Sequence, residues 1–262
     1  MDSATRSTTS IAERAGLALE FDSVTQKFGA LVALSEVSFS ISAGERHAIL
    51  GANGAGKTTL YNVVTGDFPL TSGSVRFFGE EITHLPAHER IRRGLRRTYQ
   101  KSLLFSGLTV EDNLYLAVKG VSGGRLSLRR PRAGDMALKV AAELAELVGL
   151  QAYATTPVSE LSHGQQRQLE IGLALAGAPR LVLFDEPAAG LSPVERRNLV
   201  TVLESLPRGL GYVIIEHDLD IALRVADRVT IMHNGRLFKQ GLPDEIESDP
   251  EVQAIYLGGK HG

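Results

Sequence analysis

The chain contains no cysteine. That excludes disulfide frameworks and thiolate metal sites, is compatible with a reducing compartment, and leaves oxygen ligands to hold any metal. Nor is there an apolar run approaching the ~18 to 20 residues of a membrane span. Even IGLALAGAPRLVLF is broken by Pro179 and Arg180. A surplus of one charge is missing as well: 28 Lys and Arg face 30 Asp and Glu, a formal net charge of −2. No global field draws nucleic acid, and no nucleic-acid partner is expected. No internal repeat of fixed period is evident, which argues against a solenoid. The opening MDSATRSTTSIAERAG lacks the continuous apolar segment of a secretory signal. It reads as a flexible leader over residues 1–16, on a chain made and kept in the cytosol.

What is present is enough apolar residue, 43% of 262, for one large α/β core with a smaller inserted lobe. Its most informative stretch is GANGAGKTT, comprising Gly51, Ala52, Asn53, Gly54, Ala55, Gly56, Lys57, Thr58 and Thr59. It follows the apolar run HAIL and leads into LYNVVTG, which has helical character. A loop this rich in glycine lets backbone N–H groups turn toward a close ligand without Cβ atoms in the way. The spacing G-x-x-x-x-G-K-[ST] sends Lys57 to the β- and γ-phosphates of a nucleoside triphosphate and the Thr58 hydroxyl to Mg²⁺. The opening helix adds a positive dipole end. Kinases, GTPases, recombinases and transport motors share this device, so the loop alone does not choose among them.

Around it, LALEF and VSFSI alternate apolar and polar residues on either side of the turn-like QKFG, as strands of an antiparallel edge sheet do. The helix after the loop is expected from Lys57 to Thr65, ending at Gly66. Residues 87–178 are mainly helix-patterned and predict an α-helical insertion, with Thr109 as an N-cap beside Asp112. Within them GVSGGRLSLRRPRAG reads as an exposed loop. The α/β pattern returns with RLVLFDEP, GYVIIEHD and RVTIMHNGRLFKQG, the last a hairpin turning at Asn234-Gly235. The expected fold is α/β: a phosphate-loop NTPase core of mixed sheet and helices over residues 17–262, carrying an antiparallel β edge subdomain and the inserted helical subdomain.

A second stretch, ELSHGQQRQLEIGLALAGAPRLVLFDEPAAGL, narrows the class. Its buried strand ends in Asp185-Glu186. Asp185 at a strand end can hold Mg²⁺ through water, and Glu186 beside it can orient and deprotonate an attacking water. GYVIIEH should lie next to that strand, which brings His217 toward the γ-phosphate. His47, His84, His88, His233 and His261 read as surface or packing residues.

In these motifs the chain resembles the nucleotide-binding subunit of an ATP-binding-cassette (ABC) transporter, from about Leu17 to Leu257. GANGAGKTT stands as the Walker A loop, Gln100 in RRTYQ as the Q-loop, LSHGQ as the signature, LVLFDE as the Walker B strand, and His217 as the switch histidine. The resemblance implies that Phe28 stacks on adenine and that Gln100 joins Thr58 and Asp185 at Mg²⁺ and moves with the helical lobe. It also implies that Ser162, His163, Gly164 and Gln165 act in trans on the ATP of a second ABC subunit, in a homo- or heterodimer. Two positions depart from the family pattern. His163 replaces the commoner first glycine of the signature, and Ser192 stands where many members carry aspartate.

A motor without a span implies separate transmembrane permease subunits and a peripheral place on the cytoplasmic face of the inner membrane. Part of the basic run RIRRGLRRTYQK would face those subunits or lipid head groups. VTQKFGALVALSEVSFSI, LSHGQQRQLEIG, FDEPAAGLSP and DPEVQAIYLG are similar to ATPases serving uptake of branched-chain amino acids and related solutes. Such systems add an extracytoplasmic solute-binding protein. The alternatives are the ATPase of a lipopolysaccharide export system and a soluble ABC protein without a transport role.

Overall fold

A computed structural model describes residues 16–98, 104–121 and 135–258. The alternating pattern near the N-terminus forms two long strands, β1 (Leu17–Phe28) and β2 (Leu31–Ser42). Their turn is Gly29-Ala30: Phe28 pairs with Leu31, so Gln26, Lys27 and Phe28 of the expected turn are the end of β1. Gly29 at φ 59° supplies the left-handed conformation that so short a connection needs. With β4 (Ser72–Phe77) and β5 (Glu80–Glu81) these strands make an antiparallel sheet in the order β2-β1-β4-β5.

The continuous apolar runs do something else. β3 (Arg46–Leu50), β6 (Leu95–Arg97), β7 (Leu181–Asp185), β8 (Gly211–Glu216) and β9 (Arg228–His233) form the parallel part of a six-stranded sheet, and β10 (Arg236–Gly241) closes it antiparallel to β9. The order is β10-β9-β3-β8-β7-β6. Strands apolar on both sides are what a sheet covered on both faces requires. On one face Ile49, Leu181, Leu183, Val213 and Ile215 pack with the antiparallel sheet and with α1 (Lys57–Thr65), whose Leu60, Val63 and Val64 are buried between the two sheets. On the other, Leu50, Val182, Phe184, Tyr212 and Ile214 face the remaining helices.

The helix-patterned segment beginning at Ala87 divides. α2 (Ala87–Arg92) and β6 stand with the core, α2 against β6 and β6 in the sheet, and helix-on-helix packing begins with α3 (Val110–Val121). α3, α4 (Met136–Leu147) and α5 (His163–Leu175) pack against one another through Leu114, Val118, Ala141, Leu144 and Leu169. Thr109 caps α3, its hydroxyl accepting from the Asp112 N–H at 3.1 Å and donating to the Asp112 carboxylate at 2.8 Å. α6 (Pro193–Ser205), α7 (Leu219–Val225), α8 (Pro243–Glu247) and α9 (Pro250–Gly258) complete the described helices. The leader before Gly16, the segment 122–134 and Gln100 lie outside the described residues. Among those described, no helix is long and apolar enough to cross a membrane.

The basic run near residue 90 is not one exposed face. Arg90 is buried and donates to the carbonyls of Val63, Val64, Thr83 and Leu85, while Arg93 pairs with Glu80 and Glu89, Arg92 with Glu89, and Arg97 with Asp67.

Candidate nucleotide site

β3 lies between β9 and β8, and the glycine-rich loop leaves its C-terminal end to enter α1. This is the edge of a parallel sheet where ligands gather. Gly56 caps α1 at φ 98° with no side chain on the helix N–H groups. A Cβ at Gly56 would lie 2.7 Å from the Ala33 carbonyl oxygen, so only glycine permits this approach to β2. The first-turn N–H groups of α1 therefore end in a loop without a capping side chain, the arrangement an anion uses. Lys57 is buried and its ammonium donates to the carbonyls of Gly51 (2.7 Å) and Ala52 (3.1 Å). Burial draws its pKa below the ordinary lysine value, against the opposing charges of Glu186, Asp185 and Glu216.

Two neighbouring strand ends supply the acids. Asp185 closes β7, buried, with its N–H on the Thr98 hydroxyl at 3.2 Å. Glu186 follows at φ 44°, its N–H bonded to the Ile215 carbonyl at 2.9 Å. A glutamate held at positive φ is strained, and here its hydrogen bond to a carbonyl of the adjacent strand fixes it. His217 follows β8, half exposed, with Nδ1 3.9 Å from the carboxylates of both Glu186 and Glu216.

Lys57, Thr58 and Glu186 line one cleft of about 450 Å³ together with Asn53, Gly54, Gly56 and Thr59. Ala55 is buried in the core behind the loop. Phe28 forms part of the same wall, 43% exposed, with its ring edge-on to Phe68 at 5.4 Å between centroids. The signature residues do not line this cleft. Ser162 caps α5, accepting from the Gln165 N–H at 3.2 Å while Gln165 accepts from the Ser162 N–H at 2.9 Å. The ring of His163 rests near Gly190 in the turn after β7, and Ser192 caps α6. Gln100 lies outside the described residues. Thr98, two positions before it, is tied to β7 and to the Tyr61 hydroxyl.

Two neighbours of the cleft and one of the signature escape sequence reasoning. Leu31, Val32, Ala33 and the Asn234-Gly235 turn also line the cleft, Ala33 and Gly235 directly against the loop, and the Gly235 N–H donates to the Ala55 carbonyl at 3.1 Å. The hairpin was legible from its Asn-Gly; its place beside the phosphate loop depends on sheet order. Glu216 is fully buried and accepts from the Ala188 N–H at 2.9 Å and the His217 N–H at 3.3 Å. Burial pushes its pKa up, opposed by those hydrogen bonds and by His217. An acid closing an apolar strand and preceding a histidine was the available signal. Glu195, at the third position of α6, completes a capping box with Ser192, and SPVE was its signal. His47 is a packing residue, buried between Glu45 and Thr230.

A parallel sheet with a phosphate loop at the end of β3 and paired acids at the end of β7, across the intervening β8, is the site of a nucleotide-hydrolysing P-loop protein. The family model described as ABC transporter matches residues 34–189. The high-affinity branched-chain amino acid transport ATP-binding protein BraF of Pseudomonas aeruginosa is 34% identical over 248 residues, which span 92% of this chain and 97% of that protein. LivG of Escherichia coli K12, named for the same transport, matches to the same identity and extent. Among solved structures, the ADP conformation of MJ1267, an ATP-binding cassette of an ABC transporter, superposes with a TM-score of 0.81 at 32% identity, covering 92% of this chain and 99% of that one. The dimeric post-hydrolysis state of the cassette MJ0796, bound to ADP and Pi, gives a TM-score of 0.71 at 25% identity over 86% of this chain and 98% of that one. The chain belongs to the ABC transporter family, as an ATP-hydrolysing cassette subunit.

Proposed function

We propose that this subunit drives import of branched-chain amino acids or related small solutes through separate permease subunits, from a peripheral position on the cytoplasmic face of the membrane. An extracytoplasmic binding protein delivers the solute. The names of the full-length relatives support the cargo. The observation that carries the motor chemistry is the convergence of Lys57, Thr58 and Glu186 on one cleft, from the ends of β3 and β7 on either side of β8.

In this reading residues 17–262 act as one ATP-binding domain with a helical insertion, behind the leader at 1–16. Phe28 offers its ring to adenine. The N–H groups from Gly51 to Thr59 and the α1 N-terminus receive the phosphates, and Lys57 moves its ammonium from the Gly51 and Ala52 carbonyls to the β- and γ-phosphate oxygens. Glu186 orients the attacking water and accepts its proton, while His217, beside that carboxylate, steadies the γ-phosphate. Thr58, Asp185 and Gln100 are a hard oxygen donor set that fits Mg²⁺, which when bound would neutralise phosphoryl charge. Two such subunits meet head to tail, so that Ser162, His163, Gly164 and Gln165 of one close over the ATP of the other. ATP then holds the dimer shut, and hydrolysis releases it.

Recovery of the native membrane complex, followed by ATP-driven uptake of leucine, valine, urea and aromatic acids into vesicles, tests the cargo. Uptake of one of these with an import permease is expected. Recovery with a lipid-export permease, or with no membrane partner, contradicts import and leaves the ATPase reading standing.

A further inference from the structure

The two signature donors that head-to-tail closure would turn toward a partner's nucleotide are already engaged within the subunit. The Gly164 N–H donates to Glu195 Oε1 at 2.8 Å and the Ser162 hydroxyl donates to the same oxygen at 3.2 Å. The other oxygen, Oε2, accepts from the Ser192 N–H at 3.0 Å and the Ser192 hydroxyl at 2.8 Å. Four donors thus converge on one carboxylate, which they hold ionised, with a pKa of about 2. A Cβ built on Gly164 would lie 2.6 Å from Glu195 Cγ, so the glutamate side chain fills the space against the α5 N-terminus.

A capping box alone does not require this. In the box, Glu195 need only reach back to the Ser192 N–H at the start of its own helix. Here the same carboxylate crosses from α6 to α5, a sequence separation of 31 residues from Gly164. Ser192 makes the reach possible. Aspartate at this position, as in many family members, would set a second negative charge against Glu195; serine donates to it instead. The other departure from the family pattern lies close by: His163, between Ser162 and Gly164, has its ring near Gly190, two residues before Ser192.

An anion seat filled by one carboxylate cannot also take a phosphate, because the same two donors would have to serve both and the two charges repel. We propose that Glu195 is a place-holding anion: its carboxylate occupies the Ser162 and Gly164 donors in the free subunit and must yield them to the partner's nucleotide phosphate for the ATP-bound dimer to close. This rests on the head-to-tail reading above. It makes Glu195 a positioning residue that sets how much ATP closure requires, without touching the reacting atoms.

The test uses full-length protein carrying Glu186→Gln to stall hydrolysis, with molar mass followed by light scattering across an ATP titration in Mg²⁺. Adding Glu195→Gln, which keeps an acceptor for the Ser192 N–H and removes the charge, should lower the ATP concentration at half-dimerisation by about tenfold, the weight of one charge-assisted hydrogen bond. Ser192→Asp, which loosens Glu195 without altering it, should shift the midpoint the same way and decides the matter if Glu195→Gln fails to fold by circular dichroism. ATP binding to the phosphate loop, read by equilibrium dialysis at protein concentrations that keep the subunit monomeric, should stay at the parental value in both. A dimerising parent whose midpoint is unmoved or raised in the variants overturns the place-holder alone. A parent that stays monomeric at every ATP concentration overturns head-to-tail closure, and the place-holder with it.

Discussion

Lys57 and Glu186 share a cleft, and the proposed roles of binding for one and turnover for the other predict different losses. Lys57 carries a buried charge now satisfied by two loop carbonyls, so its replacement removes the group that phosphate would engage. Lys57→Ala should lose ATP affinity in equilibrium dialysis. Glu186 has no such task, and Glu186→Gln should keep ATP while losing ~10²- to 10⁴-fold in turnover, about 3 to 5 kcal/mol of barrier. Unchanged phosphate release in Glu186→Gln would remove the glutamate from the chemistry. Glu216 adds a pH-dependent prediction. Its folded pKa is raised above 4.5 by burial, so the native chain holds this proton more tightly than the unfolded chain. Stability from this group is therefore greatest at low pH and falls as pH rises from the ordinary carboxylate range through the raised value. Thermal unfolding from about pH 5 to about pH 8 should show native protein losing stability relative to Glu216→Gln as pH rises. A difference of the opposite sign contradicts the assignment.

At the scale of elements, the phosphate helix is held at both ends by different chemistry. Its N-terminus has no side-chain cap, while its C-terminal carbonyls, Val63 and Val64, accept from the buried Arg90 guanidinium, a cation suited to the negative dipole end. Burial lowers the Arg90 pKa to about 10, still far above neutrality, so the charge stays. Arg90→Ala should cost about 2 to 4 kcal/mol, a Tm drop of roughly 5 to 15 °C by calorimetry, and Arg90→Lys should recover only part of it because one ammonium cannot fork to four carbonyls. An unchanged Tm in Arg90→Ala contradicts this anchoring role. The sequence made α1 legible because Gly56 and Gly66 bracket it, and it made β7 and β8 legible because both are unbroken apolar runs ending in acid. It misled where local pattern and packing diverge. Arg90 belongs to a basic run on paper, yet a distant helix end supplies two of its four carbonyl partners. QKFG has turn composition, yet strand pairing carries β1 through Phe28. The Glu195 crossing to α5 was hidden because a capping box accounts locally for SPVE, and nothing in one sequence reports which second helix lies alongside.

For the whole molecule, the Phe28–Glu186 cleft and the signature are separate parts of one subunit. The loop, Glu186 and the aromatic ring share a cleft that none of the signature residues lines, and α5 begins on a different part of the fold. In the proposed head-to-tail pairing each subunit's signature would close the other's phosphate site, with ATP as the shared contact and its hydrolysis as the release. The most direct test of that account is the molar mass of Glu186→Gln protein, measured by light scattering at high protein concentration without nucleotide and then with ATP and Mg²⁺. The account predicts the monomer mass without nucleotide and twice that mass with it, reversed by dilution into nucleotide-free buffer; a monomer mass under both conditions would contradict it.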